Sequence, residues 1–284
     1  MGSSALFGAL SEADLAARSQ DTNEPLGDCM RAVGVDVARV AKGEPLLEAK
    51  RVAAWIELHI EQGPVLIARE LPIGIVTGIR GNVRHRVVDC VGEAGHSGAV
   101  PRWLRHDAVF ATAELITHLD RHWRTMQERG RDIVVTAGVM GTDPREHAIA
   151  RIPGTLHFSF EVRSQSKETL EAFYDLFLSE TQLISDERGV AFKLDRRLES
   201  APAVMDKEWV ARLKRHAKEL GLPDEEIPSG AGHDSAVFAN GGIPSAMIFV
   251  RNENGSHNPA EAMDLDDFTA GVAVMRAAIK EAAQ

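Results

Sequence analysis

Cysteine is nearly absent. Only Cys29 and Cys90 occur in 284 residues, without C-x-x-C spacing, which excludes a disulfide framework and a thiolate metal site and makes a reducing compartment the expectation. Positive charge is short as well: 32 Lys and Arg face 42 Asp and Glu, for a formal charge of −10 and a pI near 5.6. Nucleic acid and anionic membranes are bound by clustered cations, so neither is expected as a partner. No apolar run approaches the ~20 residues of a membrane-crossing helix, and Met1-Gly2-Ser3-Ser4 lacks the basic start and apolar core of a signal peptide. Repeats and low-complexity segments are missing too. The expectation is a soluble, cytoplasmic protein with a small-molecule partner. Histidine is absent from residues 1–58, although eleven follow.

At 284 residues the chain can fill one large domain or two modest ones, and the order of its elements favours two. Leu10, Ala13 and Ala17, then Met30, Val33, Val37 and Val40, recur at helical spacing on either side of Asn23-Glu24-Pro25-Leu26-Gly27. That predicts two helices and a turn over about residues 11–43. From Trp55 to Glu61 apolar and polar residues alternate, giving a strand whose polar face sets His59 between Glu57 and Glu61. Gly63-Pro64 ends it and starts a short helix, and residues 73–79 form another strand. Between about 82 and 198 the pattern reads strand, helix, strand, strand, helix, strand, which is the ferredoxin-like βαββαβ unit, with Gly130 and Gly189 stopping its helices. A helix over 207–220, a helix over 234–240 capped by Asp234, a buried strand over 245–250 and a closing amphipathic helix over about 265–283 follow. The reading is an α/β domain built from residues 1–81 and 199–284, with residues 82–198 inserted.

A neutral imidazole beside carboxylates suits a divalent metal, because the nitrogen is a ligand and a carboxylate can orient the ring. Three more clusters share the chain with Trp55-Ile56-Glu57-Leu58-His59-Ile60-Glu61-Gln62-Gly63-Pro64: Gly92-Glu93-Ala94-Gly95-His96-Ser97-Gly98, Ser229-Gly230-Ala231-Gly232-His233-Asp234, and Gly255-Ser256-His257-Asn258-Pro259. In this order the clusters resemble the amidase/hydantoinase/carbamoylase branch of the M20 metallopeptidase-like hydrolases, which includes N-carbamoyl-L-amino-acid hydrolases and allantoate amidohydrolases. The resemblance runs from about Gly2 to the C-terminus.

The resemblance implies an M20-type catalytic α/β domain carrying an inserted lid and dimerisation domain, a homodimer, and hydrolysis of non-peptide C–N bonds in small carbamoyl or ureido compounds. It implies His59 and His257 as ligands of a divalent metal (Zn, Mn or Co), His96 as the group that stabilises the anionic tetrahedral intermediate, and Gln62 and Arg163 as substrate contacts, Arg163 through a bidentate pair with a carboxylate. Two departures stand out. Ala150 occupies a place where the family usually has an asparagine. Gly2-Ser3-Ser4-Ala5-Leu6-Phe7-Gly8 resembles a segment that the family places after its Glu-Glu pair, so the chain reads as a member without its N-terminal portion. That portion carries the first His, the bridging Asp, the metal-binding Glu and the general base, and metal binding is accordingly expected to be weak or absent. The rival expectation is a non-catalytic dimerising or small-ligand-binding module derived from the same family. His85, His106, His118, His122, His147, His157 and His216 match no ligand motif and are read as core or solvent-facing.

Overall fold

The computed structural model describes residues 2–19 and 21–284. The chain divides into two compact units, one of residues Met1–Ile79 and Ala203–Gln284 and one of Arg80–Pro202. The inserted unit is slightly wider than 82–198. Its last strand, Leu198–Ser200, pairs antiparallel with Asn82–Arg84, so a boundary at 198 would cut through a ladder.

The first unit is organised on Ser245–Val250, whose six residues are all buried. On one side this strand runs parallel to Trp55–Ile60, with His59 opposite Phe249; on the other it runs antiparallel to Ile73–Ile79. Glu226–Ser229 continues the sheet parallel to Ile73–Ile79, and Ala203–Val204 pairs with the end of the same strand. Side-chain alternation sorts the sheet into two faces. Ala246 and Ile248 pack with Leu213, Ala217, Val274 and Ala278 of the helices Lys207–Glu219 and Leu265–Ala282. Met247 and Phe249 pack on the other face with Leu66 and Ile227. Each large apolar side chain buried this way stabilises by ~1.5–3 kcal/mol. Gly271 lets the closing helix come close to the His59 strand, since a Cβ there would stand 2.7 Å from Leu58 Cδ1.

The N-terminal segment departs from the expected pair of helices. Glu12–Ala16, Leu26–Ala32 and Val37–Ala41 are three short helices, preceded by Gly2–Leu6. The break at Pro25 stands, but Gly34 (φ +88) adds a second one, and Asp36 caps the third helix through Arg39 N–H. Val33, placed on the apolar stripe by its spacing, is 79% exposed as a result.

In the inserted unit Gly81–Val91 and Thr155–Ser164 lie side by side and antiparallel at the centre of one sheet. The outer strands are each split in two: Val134–Thr136 and Met140–Gly141 flank Thr155–Ser164, and Ala191–Leu194 and Leu198–Ser200 flank Gly81–Val91. Residues 132–140 and 190–197 each looked like one continuous strand in the sequence. The helices Ala108–Glu128 and Lys167–Arg188 cover one face, where Leu115, Phe173 and Phe177 meet Phe158, Phe160 and Val162. His85 is buried in this core between Asp195 and the Tyr174 hydroxyl, each at 3.0 Å.

Candidate functional site

Glu57 and His59 share one face of the edge strand Trp55–Ile60, but the carboxylates do not flank the imidazole as the alternation suggested. Glu61 lies beyond the strand and is buried, accepting from the N–H groups of Val65 (2.9 Å) and Leu66 (2.8 Å), so it caps the short helix Val65–Ala68. Glu57 Oε2 accepts from Ser235 N–H (2.8 Å) and from the Ser235 hydroxyl (2.6 Å), capping Asp234–Asn240 from the neighbouring strand. Asp234 therefore does not cap that helix; its carboxylate accepts instead from the Ser3 hydroxyl at 2.7 Å.

His59 Nδ1 is 2.8 Å from the Ile60 carbonyl. An oxygen acceptor there puts the ring proton on Nδ1 and leaves Nε2 with a bare lone pair, the arrangement a metal-ligating imidazole requires. The buried ring of His233 stands edge-on to it, centroids 4.6 Å apart, with its Nε2 2.8 Å from Ser229 Oγ and its Nδ1 3.9 Å from Glu57 Oε1. Burial first, and the neighbouring His59 second, push the His233 pKa down to about 4, so the ring is neutral at neutral pH.

Glu57, His59 and His233 each offer a ligand atom within 4.8 Å of the others. Two ligands of one tetrahedral ion with ~2.0–2.1 Å bonds sit only about 3.3 Å apart, so the trio is looser than a formed site. Glu57 and His233 also spend oxygen and nitrogen on Ser235 and Ser229. His59 fits a ligand; the other two fit groups that position it. His233 was visible in the sequence only as part of its cluster, and the signal for Glu57 was its place two residues before His59 on the same strand face.

His59 also lines a cleft of about 410 Å³ together with Gln62, His257, Asn258 and Glu261. Gln62 has φ +59 and His257 has φ +60, a left-handed conformation that non-glycine residues adopt only when the surroundings hold them. Here the buried Asn252 accepts the Gln62 N–H at 2.9 Å, Gln62 Nε2 donates to Ser256 Oγ at 2.8 Å, and Glu261 accepts the His257 N–H at 3.0 Å. Gln62 Nε2 comes within 3.5 Å of His257 Nε2. The structure thus brings His59, Gln62 and His257 to one cleft.

In the inserted unit, Gly95–His96 pairs with Arg151–Ile152, and Ser97 N–H donates to the Ala150 carbonyl at 2.8 Å. The His96 loop is tied down by this pairing, and Ala150 serves it through its backbone. His96 Nδ1 accepts from Gly98 N–H at 3.2 Å, which assigns the ring proton to Nε2 and makes that nitrogen an exposed donor. Arg163 is not an open carboxylate clamp. Its guanidinium makes two bonds to Glu161, at 2.9 and 3.0 Å. No helix among the described residues is long and apolar enough to cross a membrane.

The first unit thus sets a histidine of fixed tautomer on its edge strand and a second histidine in the same cleft. Residues 30–281 match the peptidase family M20/M25/M40, and the chain belongs to that family. It is 33% identical over 285 residues to the N-carbamoyl-L-amino acid amidohydrolase of Geobacillus stearothermophilus, covering 100% of this chain and 67% of that protein. It is 31% identical over 272 residues to the allantoate amidohydrolase of Escherichia coli (strain K12), covering 95% and 64%. Among solved structures, a hydantoinase/carbamoylase family amidase from Burkholderia ambifaria superimposes with a TM-score of 0.80 at 30% identity, covering 98% of this chain and 63% of that one. The chain spans about two thirds of the length of these relatives.

Proposed function

We propose that the chain forms part of a metal-dependent amidohydrolase that cleaves C–N bonds of small carbamoyl or ureido compounds. The observation that carries this reading is the cleft holding His59, with Nδ1 tied to the Ile60 carbonyl, and His257, on a strained backbone tied to Glu261. These two imidazoles would hold a divalent ion of the zinc, manganese or cobalt kind. When bound, such an ion polarises a carbonyl oxygen and lowers the pKa of water. Gln62 would orient the substrate from the same cleft, and His96 would donate its Nε2–H to the oxygen that becomes anionic. Arg163 would bind a substrate carboxylate only by exchanging Glu161 for it. The chain is further proposed to self-associate through its inserted unit, where Val139 and Met140 are exposed beside a sheet edge.

Two histidines are fewer than the three protein ligands of a catalytic zinc site. Residues 1–284 alone are therefore expected to give no measurable ammonia from N-carbamoyl amino acids or allantoate with Zn²⁺, Mn²⁺ or Co²⁺. The same chain extended by the N-terminal segment of an M20 relative should gain metal-dependent turnover that His257→Ala removes. Turnover by residues 1–284 alone, lost in His257→Ala, would show a ligand set rebuilt within this chain. No turnover by the extended chain, with substrate still bound, would favour a binding module.

A further inference from the structure

The two helices of the inserted unit carry a cluster that the proposed reaction does not use. His118 and His122 stand four residues apart on Ala108–Glu128, so both rings project from one helix face. Glu180, on the facing helix Lys167–Arg188, meets both: His118 Nδ1 is 2.7 Å from its Oε2, and His122 Nε2 is 2.7 Å from its Oε1. The side chains are 26%, 31% and 14% exposed, so water reaches all three. Burial raises the Glu180 pKa, but the bonds from His122 and His118 outweigh it and hold the group ionised. His118 also opens onto a shallow groove in which Arg188 is already paired with Glu114, and Arg121 lies at its rim.

Two imidazoles at i and i+4 on a helix converge on one point, the spacing by which helix-borne zinc motifs hold their ion. A carboxylate from a second helix supplies a third ligand, and imidazole-rich sets select zinc, nickel and copper over magnesium or calcium. We propose that His118, His122 and Glu180 form a transition-metal site in which one divalent ion, completed by water, clasps the two helices. The rings now sit on opposite oxygens of the carboxylate, their ligand atoms spread wider than the 4.8 Å of Glu57, His59 and His233, so the ion must turn both rings inward to bind. Each ring binds in its other tautomer: the proton on the nitrogen facing Glu180 moves to the far nitrogen, the imidazoles stay neutral, and the carboxylate balances one charge of the ion.

The test uses the full 284-residue chain with His59→Ala and His257→Ala in place, so that the cleft contributes nothing, stripped of metal and titrated with Zn²⁺ by calorimetry and thermal melting. We expect one ion per chain and a higher melting temperature with zinc. His118→Gln, His122→Gln and Glu180→Gln should each weaken binding by at least about tenfold, the scale on which even supporting groups act. Cu²⁺ at one equivalent should show two-nitrogen coupling by electron paramagnetic resonance in the parent and lose it in the His118→Gln/His122→Gln variant. The proposal fails if the parent shows no saturable zinc binding, or if that double variant binds as the parent does. If a variant's metal-free melt differs from the parent's, the parent's copper spectrum decides, and fewer than two coupled nitrogens overturns the site.

Discussion

Replacing Glu57 by alanine tests whether its carboxylate is a helix cap or a metal ligand. The oxygen that accepts from Ser235 serves one of the unsatisfied N–H groups at the start of Asp234–Asn240 and a hydroxyl that is fully buried. Losing such a cap costs ~0.5–2 kcal/mol, and leaving the Ser235 hydroxyl buried without a partner costs ~1–3 kcal/mol. The sum, about 1.5–5 kcal/mol, corresponds to a melting temperature lower by roughly 3–20 °C at ~2–4 °C per kcal/mol. Glu57→Gln keeps an oxygen acceptor but not the charge, and should lose only about 1 kcal/mol. Urea unfolding and thermal melts in EDTA give the answer. A cap predicts the full loss without metal, because Ser235 is uncovered whether or not an ion is bound. Unfolding of Glu57→Ala indistinguishable from the parent in EDTA, with a deficit appearing only after zinc is added, would refute the cap and make Glu57 a ligand.

Three further outcomes are expected. The His233 pKa falls from 6.5 to about 4 on folding, so above pH 6.5 neither state is protonated there, and between 6.5 and 4 the unfolded chain takes up a proton that the native one refuses. As pH falls across that window, stability should fall by at most ~3.5 kcal/mol, at ~1.4 kcal/mol per unit, and the urea midpoint of His233→Gln should show a flatter pH profile. Zinc bound by His59 and His257 alone should be weak, so calorimetry on His118→Gln/His122→Gln should find no tight ion, and one abolished by His59→Ala would reveal ligands not counted here. The full chain should scatter light as a dimer, and Val139→Glu, which places a charge beside an exposed strand edge, should shift it toward monomer.

The strands and long helices were legible because their apolar period is uninterrupted: Ile73–Ile79 and Ser245–Val250 run as buried blocks, and Lys167–Arg188 stops where Gly189 takes φ +65. His59, Gln62 and His257, grouped beforehand only by the family resemblance, line one cleft. What stayed hidden were the partners of carboxylates. Glu57, Glu61, Asp234 and Glu161 all look available on paper, yet three of them satisfy helix starts or a hydroxyl far along the chain, and the fourth holds Arg163. Two of these bonds, Glu57 to Ser235 and Asp234 to Ser3, join residues 178 and 231 positions apart, which no local pattern encodes. The short N-terminal helices were misjudged because a φ of +88 at Gly34 outweighs the apolar spacing around it.

The strand that holds the first unit together is also the last of its sheet to be made. Trp55–Ile60 and Ile73–Ile79 flank Ser245–Val250, and both leave the ribosome before it, by 171 residues (250 − 79) in the case of the nearer one. At ~5–20 residues per second that interval is about 9–34 s. During it the inserted unit acquires every strand of its own sheet, because all of its pairings close within Arg80–Pro202. The earlier half of the first sheet has no such partner. Ile73–Ile79 gains Ala203–Val204 and Glu226–Ser229 on one edge before that, but its other edge and the whole of Trp55–Ile60 stay unpaired until the central strand arrives, so these are the edges of the first unit a nascent chain leaves open longest.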